Sequence, residues 1–244
     1  MKKIHLGKSP ITEALIDINV TPGSGVNAKT LELLHEKIRA DFPTKRTMSR
    51  FQVSFGQKEG GLGAATNFDA VGYSFFSQDE RQVVQYRLNG FTFSRLKPYE
   101  TWEKLRDTAR KLWQIYCEGC KIESLNRLAL RYVDLLEIPV GLPISDFIKN
   151  PPKAIKGGPS NLTAFLNQQR LLEPSTGVET LLTLSLAPPP NAVKLPLIVD
   201  TEIFKFFSSP LSEKDLWGLL EKFRVLKNNI FFGIITEKAV EEYR

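Results

Sequence analysis

Apolar and polar residues alternate from Ile11 to Val20, placing Ala14, Ile16, Ile18 and Val20 on one face at period two, the signature of a half-buried strand. Pro22-Gly23-Ser24-Gly25 ends it. Beyond Asn27, a residue suited to capping, the spacing becomes helical, with Leu31, Leu34, His35 and Ile38 on one stripe until Pro43. Strands are predicted at 46–56, 67–76, 83–88 and 91–96, with turns at Lys58–Gly63 and Asp79-Glu80 and a hairpin at Asn89-Gly90. Pro98 precedes a helix of about five turns, with Trp102, Leu105, Ala109, Leu112, Trp113 and Tyr116 inward and Gly119 as its C-terminal cap.

The pattern then starts again. Leu125 to Ile138 reads as a long strand and Ile144 to Lys149 as a short helix at most, and 150–160 reads as a Pro- and Gly-rich loop. Segments 162–172 and 178–186 form a predicted hairpin. The strand at 193–206 contains Pro196, which suggests an edge position or a bulge. Ser212, with Asp215 three residues on, caps a last long helix whose Leu216, Leu219, Leu220 and Phe223 face inward and which continues through Ile230 and Phe231. Thr236 caps a final short helix.

The expected fold is α+β, with two similar β-α-β-β-β-α halves, 1–122 and 123–244, in one continuous unit. Antiparallel sheets are covered on one side by two long helices at 100–118 and 212–231. Trp102 and Trp217 occupy comparable places near the starts of those helices. Each half has a face it cannot bury alone, so the halves pack on each other, and the groove between them is the expected ligand site.

Composition narrows the class. Of 244 residues, 42% are hydrophobic and 25% charged, as in soluble globular proteins. No apolar run approaches the about 20 residues that span a bilayer, and no apolar signal core follows the basic N-terminus. The expectation is a cytoplasmic protein with no membrane partner. Cys117 and Cys120 are too few for a disulfide framework. A net charge of +6 permits nucleic-acid binding without requiring it.

Five constellations carry possible chemistry. Cys117-x-x-Cys120 falls at a helix C-terminus, whereas a redox pair needs the N-terminal dipole to lower a thiol pKa, and only His5 and His35 exist to complete a zinc site. Gly60-Gly61-Leu62-Gly63 could cradle phosphate, but a strand follows it rather than a helix, so a hairpin turn is the reading. Asp200 and Glu202 point to one strand face and could hold Mg²⁺, with Asp134 or Glu137 completing the set; alternatively they pair with Arg131 and Lys205 on a solvated face. Arg127 and Arg131 share one face of their strand, opposite Leu128, Leu130 and Tyr132, and Arg46 and Arg50 open another. Arginines beside aromatics on a sheet can bind single-stranded nucleic acid, or can pair with carboxylates across the sheet. A Ser-His-Asp set has little to draw on, with His5 near the terminus and His35 on a packed helix.

The stretches SPITEALIDINV, VVQYRLNGFTFSRLKPYETWEKLRDTARKLWQIY, LNRLALRYVDLLEIP and NNIFFGIITEKAVEEY together resemble a sporadically distributed family of uncharacterised bacterial proteins of about this length. The resemblance implies a bacterial or archaeal source and a place on mobile or defence islands. It implies no activity, cofactor or catalytic residue.

The leading expectation is a non-catalytic binding module for a protein partner, within a multi-component bacterial system, or a homo-oligomer, with no cofactor. The alternatives are a nucleic-acid binder using Arg46, Arg50, Arg127 and Arg131, and a metal-dependent hydrolase or nuclease around Asp200 and Glu202.

Overall fold

The computed structural model describes residues 6–58, 61–159, 162–186, 193–208 and 213–244, and side chains throughout these except at 50–58 and 61–69. Along the chain run β1 (Ile11–Thr21), α1 (Ala28–Leu33), α2 (His35–Ile38), β2 (Thr44–Lys58), β3 (Gly61–Phe76), β4 (Gln82–Arg87), β5 (Gly90–Leu96) and α3 (Trp102–Cys120). They are followed by β6 (Ser124–Pro139), a 3₁₀ turn (Ile144–Asp146), β7 (Phe165–Glu173), β8 (Val178–Leu186), β9 (Lys194–Phe206), α4 (Glu213–Ile234) and α5 (Glu237–Glu242).

The fold is α+β, but the expected separate sheets are one antiparallel sheet of nine strands, in the order β2-β3-β4-β5-β1-β6-β9-β8-β7. β1 and β6 pair at its centre, with Ile16 opposite Leu130. The first half carries five strands and the second four. A 3₁₀ turn stands where the second half was expected to have its first helix, so neither half reads β-α-β-β-β-α. The chain at that turn is held by its neighbours instead: Ile148 bridges Ile235, and Thr236 N–H donates to Phe147 O at 3.0 Å.

Period-two alternation gives the sheet two different faces. Ile16, Ile18, Phe75, Tyr86, Phe93, Leu128, Leu130 and Ile203 are buried under the helices. With Trp113 and Tyr116 of α3 and Leu220 and Phe223 of α4 they form one core. A second cluster, Leu136, Ile138, Leu184, Leu197 and Val199 with Phe231 and Val240, lies under α5 and the end of α4. Thr101 caps α3 by accepting from Lys104 N–H at 3.2 Å, and Thr236 caps α5 by accepting from Ala239 N–H at 3.1 Å. The cap expected of Ser212 lies outside the described residues.

Three local expectations shift. Arg87 pairs with Gly90, so the β4–β5 loop is Leu88-Asn89 rather than Asn89-Gly90. Gly90 belongs to β5 because a Cβ there would lie 2.5 Å from Ile18 O on β1. Gly119 is inside α3, where a Cβ would lie 2.6 Å from Leu34 Cδ2. The left-handed cap is Lys121, at φ 42°. Pro196 sits in β9, an interior strand. There it stands opposite Glu137 of β6 in the register.

Candidate functional site

A cleft of about 870 Å³ opens where the two halves meet, lined by residues 6–11 and 97–103 of the first half and by β6, α4 and the C-terminus of the second. Its floor comes from β6. The helix-side positions of that strand read Leu128, Leu130, Tyr132, Asp134, Leu136 and Ile138, so period two carries one carboxylate into an otherwise apolar row. Its wall comes from α4. There Leu220, Phe223, Lys227 and Phe231 fall three or four apart on the buried stripe, so the helical period carries one lysine into the core.

Both groups are costly where they stand. Asp134 is 1% exposed and Lys227 4%. Asp134 Oδ2 is fully enclosed and receives no hydrogen bond among the described residues. Burial raises the Asp134 carboxyl to about 6, partly countered by the Lys227 charge. Burial likewise lowers the Lys227 ammonium, against the opposing pull of Asp134. The two are electrostatic partners without direct contact, because no ion pair closer than 4 Å joins them.

Aromatic rings surround the lysine. Its Nζ lies 4.0 Å from the centre of the Tyr132 ring and 5.4 Å from that of Phe231. The hydroxyls of Tyr132 and Tyr99 are 3.1 Å apart, with the rings edge to face at 5.7 Å. Burial pushes the Tyr99 phenol up to about 12 and that of Tyr132 well above its ordinary value, so both stay protonated. At the rim, Trp102 Nε1–H donates to Glu221 at 2.7 Å and Arg106 donates to the same oxygen at 2.7 Å. Arg224 lies 3.9 Å from Glu103 and 5.8 Å from the centre of the Trp102 ring system. The site thus offers a buried cation, a buried carboxyl, two phenols and flat apolar walls.

Arg46, Arg127, Arg131, Asp200 and Glu202, singled out in the sequence, lie elsewhere, on the opposite face of the sheet. Arg131 donates to both oxygens of Asp200, at 2.8 and 2.6 Å. Arg127 lies 2.8 Å from Glu202 and 3.5 Å from Asp17, with its guanidinium 4.4 Å from the Phe204 ring centre. Asp17 also accepts from Arg87 at 2.6 Å and Thr92 at 2.6 Å. Arg46 pairs with Glu80 at 2.6 Å on β2, which β3, β4, β5 and β1 separate from β6. Arg50 is opposite Asp69 in the β2–β3 register, and its side chain lies outside the described residues.

Asp134 cannot join Asp200 and Glu202 around a metal. Its register partner is Val199, so it points to the helix side, whereas Asp200, opposite Val133, points the other way. Glu137 pairs with Lys194 at 3.2 Å. Among the described residues, no three His, Cys, Asp or Glu side chains gather in a way that could hold a metal ion. Cys117 and Cys120 are free thiols at the end of α3, raised by burial to about 12 and about 11. His35 is stacked on Phe75 at 4.7 Å, with Nε2 2.8 Å from Phe42 O. His5 and the tip of the glycine turn lie outside the described residues.

Sequence reasoning missed Lys227, although the signal was present: it is the charged member of an apolar helical stripe. It considered Asp134 only as a third metal ligand. No family model and no curated protein matches the chain, so the functional reading rests on this geometry.

Proposed function

We propose that this protein is a binding module whose recognition centre is the cleft between its halves, and that its ligand is a compact organic molecule with a flat or apolar body and a polar head. The observation that carries this reading is the pair Asp134 and Lys227, both buried against the cleft, with Asp134 Oδ2 enclosed and unbonded among the described residues. Buried polar groups in folded proteins are nearly always satisfied, so an unsatisfied carboxyl oxygen at a cavity fits a missing ligand. A volume of about 870 Å³ suits a molecule of drug or nucleoside size. Tyr99, Trp102, Tyr132 and Phe231 would stack on its body.

We also propose that the halves arose by duplication. The strand order supports this: outward from the central β1–β6 pair it runs β5, β4, β3, β2 on one side and β9, β8, β7 on the other. Each half then ends in a helix that packs on its own central strands. Such an origin explains why a cleft lies at the junction.

A thermal-shift screen of organic acids, carbonyl compounds, amino acids and nucleosides tests the binding reading. Ligands should raise the Tm of the wild type and leave Lys227→Met unmoved. Hits that stabilise both proteins equally would place binding elsewhere.

A second reading, a protein partner or a second copy of the chain, is supported by the edge strand β7. Leu166, Leu171 and Leu172 are 73%, 50% and 61% exposed there, and among the described residues no strand pairs with its outer edge. Apolar edge strands accept an added strand. The nucleic-acid and metal readings have less support, because Arg46, Arg127, Arg131, Asp200 and Glu202 neutralise one another or their neighbours.

A further inference from the structure

We propose that Lys227 is a nucleophile that holds a carbonyl compound in the cleft as a covalent imine, an inference that rests on the cleft being the binding site. Three observations and one comparison converge on that residue. Its side chain lines the cleft and is buried within it. Its Nζ makes no hydrogen bond or close ion pair among the described residues, only the ring contacts to Tyr132 and Phe231. A lysine kept for its charge alone would be expected to touch a carboxylate, as Lys238 touches Asp146 at 2.6 Å. Burial also favours the neutral amine, the form that attacks carbonyl carbon.

The surroundings supply the rest of the chemistry. The neutral Nζ adds to the carbonyl carbon, giving a carbinolamine. Nitrogen then loses its second proton, and the hydroxyl leaves as water when an acid protonates it. Asp134, raised by burial to about 6 and electrostatically coupled to the lysine, can pass a proton in either direction near neutral pH. Amine and carbonyl compound thus become imine and water, with no oxidant or reductant required. Tyr99 and Tyr132 stay protonated and can donate to the carbonyl oxygen as it gains charge. Lys97 at the rim, which makes no ion pair among the described residues, favours an anionic group on the ligand, and Trp102 and Phe231 favour an aromatic body. The chemical class is an aromatic aldehyde or 2-oxo acid bearing a carboxylate.

The probes are 4-carboxybenzaldehyde and phenylpyruvate, each incubated at limiting concentration with the full chain and cyanoborohydride. Reduction converts the imine to a stable secondary amine that peptide mapping can place. Lys227 should carry the adduct at least about tenfold faster than any surface lysine. Lys227→Met should lose it while keeping wild-type circular dichroism. Asp134→Asn, which retains the lysine, should form it at least about tenfold more slowly. Adducts scattered over surface lysines with Lys227 unmodified would overturn the proposal. If the same probes raise the wild-type Tm but not that of Lys227→Met and still leave Lys227 unmodified, the imine is refuted and the binding reading stands. If they neither shift Tm nor modify Lys227, the imine is refuted, and the thermal-shift screen decides the binding reading separately.

Discussion

The residues that mark the candidate site are those that break their own pattern. Lys227 interrupts an apolar helical stripe and Asp134 an apolar strand row, and both interruptions face the same cavity. Each shift carries a sign. The Asp134 carboxyl, raised to about 6, holds its proton more tightly folded than unfolded, where it titrates near ~3.9. Its contribution to stability is therefore greatest in acid and falls as pH rises through that window, by roughly 3 kcal/mol at about 1.4 kcal/mol per unit. Lys227, lowered by burial, acts in the opposite sense: stability rises with pH as far as its unfolded value near ~10.4. Urea titrations between pH 4 and 7 should show the acid-side slope in the wild type and its loss in Asp134→Asn. An unchanged slope in the variant would mean another group is responsible. Gly90 gives a purely steric prediction at the same scale. Gly90→Ala sets a methyl against Ile18 O and should cost about 1–3 kcal/mol in the same titrations, with β1 and β5 forced apart.

At the scale of elements, the periodicities were legible and the edges were not. The stripe Trp102, Leu105, Ala109, Leu112, Trp113 and Tyr116 was readable, and all six residues are buried. Asn89-Gly90 and Gly119 were misread because turn and cap rules are local. What demands glycine there is the close approach of Ile18 and Leu34, residues remote in sequence. Pro196 suggested an edge or a bulge because proline lacks an N–H, whereas its strand β9 lies inside the sheet. Thr101→Ala removes the α3 cap and should cost about 1 kcal/mol of stability by chemical denaturation. The edge strand β7 makes a separate prediction. If it joins a partner or a second copy, Leu172→Lys should shift the protein to a smaller species in light scattering at matched concentration, with the folded spectrum intact. A species of the same mass in both proteins would remove β7 from any interface.

The whole molecule explains why the site could be anticipated only in outline. The sequence reading expected a groove between 1–122 and 123–244, and one cleft is lined by residues of both stretches. The sequence could not show that the halves share one sheet, because the β1–β6 pairing joins segments more than a hundred residues apart. For the same reason it could not bring Lys227 of α4 over Asp134 of β6. It drew attention instead to Arg127, Arg131, Asp200 and Glu202, whose polar pattern is as visible as a site's but is spent on cross-strand ion pairs. Among the described residues, no helix is long and apolar enough to cross a membrane.

The central claim is that the cleft at Lys227 is built to hold a small molecule. Native mass spectrometry of the full chain, purified gently from its host, tests this directly. The account predicts a wild-type mass exceeding that of the polypeptide by one small organic molecule, and a Lys227→Met protein at the bare polypeptide mass. A bare wild-type protein, or the same excess on both proteins, would contradict it.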